Sequence, residues 1–110
     1  MRLATIVSTD RFDASAEKLL TDEERADLEF SLAKAPEAHP LIPGLNGVRK
    51  ARWGKQATGK RGGVRVIYFY AISAEVVLLL AVYAKNERED LTNDQKKQIN
   101  QIIEAYKASL

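Results

Sequence analysis

Val64-Arg65-Val66-Ile67-Tyr68-Phe69-Tyr70-Ala71-Ile72-Ser73-Ala74-Glu75-Val76-Val77-Leu78-Leu79-Leu80-Ala81-Val82-Tyr83-Ala84 holds two apolar runs joined by a short link. β-branched and aromatic residues dominate both, so Val64 to Tyr70 and Val76 to Ala84 read as strands. Because the link is short, the two pair antiparallel as neighbours. Upstream, Val48 to Trp53 reads as a third strand, and Pro40, Pro43, Gly44 and Gly47 mark the loop before it.

Further upstream the pattern is helical. Thr21-Asp22-Glu23-Glu24 has the capping-box spacing. The helix it starts runs to about Ala35, and Pro36 ends it. Ala26, Phe30 and Ala33 lie on one face of it, with Leu28, Leu32 and Ala35 beside them. Asp13 can cap a shorter helix through Leu20. Residues 2–8 offer a short strand whose apolar content is Leu3, Ile6 and Val7. Downstream, Thr92 and Gln95 form a second capping box, and the helix after them places Ile99, Ile102, Ile103 and Tyr106 on one stripe. The order is β-α-α-β-β-β-α. It predicts a compact α+β fold: an antiparallel core sheet, an N-terminal helical hairpin and a C-terminal helix.

The chain has 110 residues and no cysteine. Residues 1–110 read as one domain, long enough to bury a core without disulfides. Thiolate metal sites are excluded. The N-terminus lacks a long apolar stretch, and the longest apolar run, Val76 to Ala84, is too short to span a bilayer as a helix. A soluble cytoplasmic protein with no membrane contact is expected.

Charge is segregated along the sequence. Residues 38–74 contain no Asp or Glu but carry Arg49, Lys50, Arg52, Lys55, Lys60, Arg61 and Arg65, a formal +7. The flanking segments are net acidic, so the overall +2 hides a strong local field. A surface that binds a polyanion needs such segregation. Strand periodicity puts Lys50 and Arg52 on one face, opposite to Arg49 and Ala51. Lys60 and Arg61 lie among glycines, where backbone can approach a ligand closely. Arg65 opens a strand of apolar residues with no carboxylate nearby, a costly place for a charge without a functional reason.

Other candidates are weaker. Gly54-Lys55-Gln56-Ala57-Thr58-Gly59-Lys60 matches a phosphate-binding loop up to its lysine. Arg61 then replaces the Ser or Thr that would hold magnesium, and a strand follows where a helix is needed, so a glycine-rich hairpin is the better reading. His39, the single histidine, precedes Pro40 in a polar loop and reads as a surface residue. With no second His and no Cys, a Cys–His triad is impossible and a zinc site is improbable. Trp53 and Tyr70 read as core. Tyr68 and Tyr83 are open between core packing and stacking on bases.

Three stretches together carry a resemblance: Ile42-Pro43-Gly44-Leu45-Asn46-Gly47-Val48-Arg49-Lys50-Ala51-Arg52-Trp53, Gly59-Lys60-Arg61-Gly62-Gly63-Val64-Arg65-Val66-Ile67-Tyr68-Phe69-Tyr70, and Tyr83-Ala84-Lys85-Asn86-Glu87-Arg88-Glu89-Asp90-Leu91-Thr92. They resemble the RelE/ParE superfamily of bacterial toxins, and most nearly its RelE/HigB-like branch of type II toxin–antitoxin systems. The resemblance implies an endoribonuclease that cuts mRNA in the ribosomal A site with neither metal nor cofactor. It also implies a cognate antitoxin with a helix-turn-helix domain, through which alone operator DNA would be contacted. Arg65 falls at the family's active-site arginine. Lys50 and Arg52 occupy the region of its basic pair, Lys85 that of another basic residue, and Lys60 is characteristic of the branch. The family's substrate-contacting tyrosine near the C-terminus has no clear counterpart: Tyr106 sits on an apolar stripe and Tyr83 in a strand.

Cleavage through the 2′-hydroxyl needs a base, charge stabilisation at phosphorus and an acid for the leaving 5′-oxygen. Lys50, Lys60 or Lys85 would supply the base, because neighbouring cations disfavour a lysine's protonated form. Arg65 and Arg52 would hold the non-bridging oxygens. Arg49, Lys55, Arg61, Tyr68 and Tyr83 would contact RNA. Two alternatives stay open on sequence: a ParE-like inhibitor of a DNA topoisomerase, and a non-catalytic RNA-binding module.

Overall fold

The two central apolar runs become the inner strands of one four-stranded sheet in a computed structural model of the chain, which describes residues 2–54, 63–85 and 91–109. In chain order the elements are β1 (Thr5–Ser8), α1 (Asp10–Leu19), α2 (Asp22–Lys34), β2 (Val48–Trp53), β3 (Val64–Ala71), β4 (Val76–Ala84) and α3 (Asn93–Ala108). The sheet order is β1-β4-β3-β2. The pairs β2–β3 and β3–β4 are antiparallel, as expected. β1 lies parallel to β4, so the sheet as a whole is mixed. The chain from α1 through β3 supplies the long connection that a parallel partner requires between β1 and β4.

Both faces of the sheet are covered. Phe12, Ala16 and Leu20 of the α1 region and Leu28 and Leu32 of α2 pack on Ala51, Val64, Val66, Tyr68, Val77, Leu79 and Val82. Ile99 and Ile103 of α3 pack on the opposite face, with Val48, Ile67, Phe69, Leu78, Leu80, Ala81 and Tyr83. Double coverage explains why β3 and β4 read as nearly continuous apolar runs rather than as alternating ones. No helix among the described residues is long and apolar enough to cross a membrane.

The capping boxes at Thr21–Glu24 and Thr92–Gln95 both form with reciprocal hydrogen bonds. Two local expectations are corrected. Helix α1 starts at Asp10, capped by the Thr9 hydroxyl on the Phe12 amide at 3.1 Å, so Asp13 is not a cap. The Asp13 carboxylate instead meets Arg25 at 2.7 Å, and Arg25 also binds Glu29 at 2.8 Å and lies over the Phe12 ring. A hydrogen bond with Ser8 and the Arg25 guanidinium hold the Asp13 carboxyl below its ordinary range. On α2 the buried stripe is Glu24, Leu28 and Leu32, one residue per turn, with Ala33 beside it. Ala26 and Phe30 face solvent, with Phe30 52% exposed. The helix is turned away from the face that Ala26 and Phe30 suggested, because the paired leucines gain more from burial than that mixed face does.

A β-bulge sets the phase of β4. Tyr68 pairs with Leu79, and Ile67 with Ala81, so Leu80 is the extra residue. Leu80 and Ala81 therefore face the same side. Thr9 closes this irregularity: its hydroxyl donates to the carbonyls of Leu79 at 3.1 Å and Leu80 at 3.3 Å.

Candidate functional site

The strand register places three side chains side by side across the sheet. Arg52 of β2 is paired with Arg65 of β3, and Arg65 with Tyr83 of β4. Lys50 lies two residues back on β2, paired with Ile67 and on the same face. Side-chain alternation along β2 and β3 gives this arrangement directly. The bulge gives it on β4: without the extra residue at Leu80, Tyr83 would point to the α1–α2 side. All four sit on the face that α3 covers in part. Arg65 and Tyr83 are buried, Lys50 is half-buried and Arg52 is exposed.

The open ends of the three strands are laced by Gly63. Its backbone has φ +53°, and a Cβ there would lie 2.8 Å from the Trp53 carbonyl oxygen, so no side chain fits. Its carbonyl accepts from the Lys85 amide at 3.3 Å. That bond holds the exposed Lys85 just beyond the end of β4, on the continuation of the strand that carries Tyr83. Lys55, Lys60 and Arg61 lie outside the described residues, as does most of the phosphate-loop-like segment to which they belong.

Two expected RNA contacts are corrected. Tyr68 is fully buried on the opposite face, packed under α1 and α2, so it cannot stack on a base. Its hydroxyl donates to the Pro36 carbonyl at 2.8 Å, and burial pushes its pKa up to about 12. Arg49 shares that face, paired with Tyr68. Its guanidinium donates to the His39 carbonyl at 2.7 Å and the Glu37 carbonyl at 3.3 Å, with the Glu37 carboxylate 3.9 Å away. Arg49 therefore ties down the segment after α2, and an acid does stand near it. His39 completes this corner, its ring edge-on to Tyr68 at 6.2 Å. Desolvation, then Arg49, keeps His39 below its ordinary pKa. Trp53 and Tyr70 are half-buried against the α1–α2 core, as expected.

Tyr68→Phe separates the two readings of that residue. The variant leaves the Pro36 carbonyl without its donor, at a cost of about 1–2 kcal/mol in urea unfolding. Any activity of the Lys50–Arg52–Arg65–Tyr83 face is expected to stay at the wild-type level in the folded variant, because the Tyr68 ring is on the other side of the sheet.

One cation was missed from sequence. Lys96 of α3 lines a cavity of about 270 Å³ together with Lys50, Tyr83, Leu91, Ile42 and Pro43. The signal was present: Lys96 is three residues before Ile99 and seven before Ile103, so helical periodicity sets it on the sheet-facing stripe. Among the described residues, no group of three or more His, Cys, Asp or Glu side chains is placed to hold a metal ion.

No protein-family model matches the chain. Its structure is similar to a chain of the toxin–antitoxin complex RelBE2 of Mycobacterium tuberculosis, with a TM-score of 0.57 and 25% identity over 82% of this chain and 97% of that one. It is also similar to a chain of the intact E. coli RelBE toxin–antitoxin complex, with a TM-score of 0.52 and 19% identity over 72% and 93%. A mutant E. coli toxin RelE in the free state gives a TM-score of 0.57 and 18% identity over 79% and 88%. The fold is that of the RelE toxins. On this RelE-like sheet the described cations of β2 and β3 divide by face: Lys50, Arg52 and Arg65 gather under the edge of α3, and Arg49 belongs to the α1–α2 side.

Proposed function

We propose that this RelE-like chain is the toxin of a type II toxin–antitoxin system, and that it stops translation as a metal-independent, ribosome-dependent endoribonuclease acting on mRNA. The observation that carries the reading is the shared face of Lys50, Arg52, Arg65 and Tyr83. Two guanidiniums in directly paired positions on one face offer two sets of forked donors, a geometry that matches the non-bridging oxygens of a phosphodiester.

The chemistry follows from the groups on hand. The 2′-hydroxyl loses its proton to a base and attacks phosphorus. The P–O5′ bond breaks, leaving a 2′,3′-cyclic phosphate and a 5′-hydroxyl once the leaving oxygen takes up a proton. Arg65 and Arg52 hold the non-bridging oxygens as charge builds on them, since a guanidinium offers two parallel donors. Lys50 and Lys85, with Lys60 from the glycine-rich segment, are the proton carriers and phosphate contacts. Lys55 and Arg61 extend the electrostatic attraction for the message. No step needs a cofactor.

The inhibitory partner in this reading is a cognate antitoxin with a helix-turn-helix domain, which alone touches operator DNA. An acidic antitoxin segment would mask the cationic face by charge complementarity. The test is brief induced expression in a bacterial host, followed by mapping of mRNA 5′ ends. In-frame cuts confined to translated messages are expected. Growth arrest with intact messages and DNA breaks would instead point to a topoisomerase inhibitor, and RNA binding without growth arrest to a non-catalytic module.

A further inference from the structure

We propose that Asn46, Asn100 and Glu104 form a base-reading subsite on the α3 side of the sheet, selecting an RNA base that carries an exocyclic amino group, adenine or cytosine, over uracil. This rests on the RNA-directed function proposed above and deepens it, because it names residues that set a sequence preference.

The three side chains line one open hollow of about 530 Å³ between α3 and the loop before β2. That volume lies in the range of small-ligand sites. Asn46 is presented by a pinned loop. Gly44 and Gly47 on either side of it both have φ +83°, a conformation that favours glycine. The Leu45 amide donates to the Ile42 carbonyl at 3.2 Å, the Ile42 amide donates to the Val48 carbonyl at 2.8 Å, and Leu45 itself is buried. Asn100 and Glu104 stand one turn apart on α3 and so share a face. All three are exposed, and among the described residues no hydrogen bond or ion pair engages their side chains. Polar groups held out by rigid elements lose little freedom when a ligand arrives.

The donor set fits a base edge. A carboxamide both donates and accepts, and Asn can meet the amino group and ring nitrogen of adenine with two bonds. Turned over, it serves the carbonyl and N–H of uracil as well. Glu104 breaks that symmetry, because a carboxylate only accepts. It takes a hydrogen from an exocyclic amino group and opposes the O4 of uracil. It also repels a phosphate, so the hollow receives the base and leaves the backbone outside.

The hollow is part of a seam that starts at the cationic face. Ile42 and Pro43 share a hollow with Lys96, and Asn46 and Gly47 share another with Lys107. Lys50 lines the first of these, so the seam runs from the Lys50–Arg52 end of β2 toward the β3–β4 turn. Arg52 and Val48 are about 13 Å apart at the usual strand rise, and Asn46 lies beyond Val48. The base read is therefore a few nucleotides from the bond being cut, where single-stranded RNA can present an unstacked edge.

The experiment measures binding of short 2′-O-methyl RNA oligonucleotides, which cannot be cleaved through the 2′-oxygen. A uridine-only sequence is compared with sequences carrying one adenosine or one cytidine stepped through each position. At one position adenosine or cytidine is expected to bind roughly tenfold tighter than uridine. Asn46→Ala and Asn100→Ala each remove most of that preference and leave uridine-only affinity close to wild type. Glu104→Gln removes it differently: the new amide donates to O4, and the uridine-only sequence gains. Gln101→Ala, exposed on α3 and outside the hollow, changes nothing. Urea unfolding confirms that each variant is folded.

A wild type without a preferred position, or one that binds no oligonucleotide, overturns the subsite. So does a preference that survives both Asn variants or falls equally in Gln101→Ala. An equal gain for every sequence in Glu104→Gln, which loss of one negative charge alone produces, overturns the role of Glu104. Asn variants that keep the base preference but escape neutralisation by the antitoxin would assign the hollow to a peptide instead. Failure of the wild type to cleave any translated message refutes the proposed function, and the base preference in binding still decides the subsite.

Discussion

Arg65→Met is expected to lower cleavage of a translated message by ~10²–10³-fold while the protein stays folded. The loss corresponds to about 3–4 kcal/mol of transition-state stabilisation, the usual cost of removing one preorganised donor aimed at developing charge. Methionine keeps the unbranched stem that lies in the sheet and removes only the guanidinium. Arg65 is 6% exposed. Its pairing with Arg52 sets like charges across from each other, which weakens a sheet. Unfolding free energy is measured beside the rate, because Arg65 is buried and its guanidinium has interactions of its own that methionine would lose. Arg65→Lys keeps a charge but loses the two-pronged donor geometry, and should recover only part of the rate. Wild-type cleavage by a folded Arg65→Met protein would remove Arg65 from the reaction. Unfolding of that variant would make Arg65 a structural residue.

The element order was legible because each signal was local. Both capping boxes sit where the Thr-to-acid or Thr-to-amide spacing put them, and the apolar runs of β3 and β4 pair as neighbours. The opposition of Lys50 and Arg52 to Arg49 was legible for the same reason, since alternation along one strand is a property of that strand alone. What failed was non-local. Nothing in Leu78-Leu79-Leu80-Ala81 marks which residue is extra, because both faces of β4 are buried and every position is apolar. Tyr83 therefore had no readable face. Tyr68 looked much like Tyr83 in sequence, yet its hydroxyl finds a carbonyl 32 residues away. Asp13 looked like a helix cap because its partner Arg25 belongs to the next helix. The parallel placement of β1 beside β4 depends on pairing between distant chain segments, Thr5 with Val76 through Ser8 with Leu79, which no short pattern encodes. Lys96 was the avoidable omission: the stripe that reads Ile99 and Ile103 as buried reads Lys96 as well, although it stands outside the acid-free block at 38–74.

Thr9→Val is expected to destabilise the protein by about 2–3 kcal/mol, a large cost for a substitution that conserves shape. The hydroxyl has two duties at once. It accepts from the Phe12 amide and so caps α1, a contribution of about 1 kcal/mol. It also donates to the carbonyls of Leu79 and Leu80, which flank the bulge. The Leu79 carbonyl keeps the Thr9 amide at 3.1 Å in the variant, so the loss falls mainly on Leu80. Removing that donor beside the buried strand costs about 1–2 kcal/mol. Two further variants separate the duties. Thr9→Ser keeps both and should lie close to wild type. Thr9→Asp caps the helix well but has no proton for the carbonyls, so it should recover only the capping share. Urea unfolding with an unchanged m-value reads the differences. The result bears on the site, because the bulge is what turns Tyr83 toward Arg65. In Thr9→Val the register of β4 is less firmly held, and cleavage should fall more than the fraction unfolded accounts for. If Thr9→Ser and Thr9→Asp are equally stable, the hydroxyl's contacts to Leu79 and Leu80 contribute nothing, and another contact must fix the bulge.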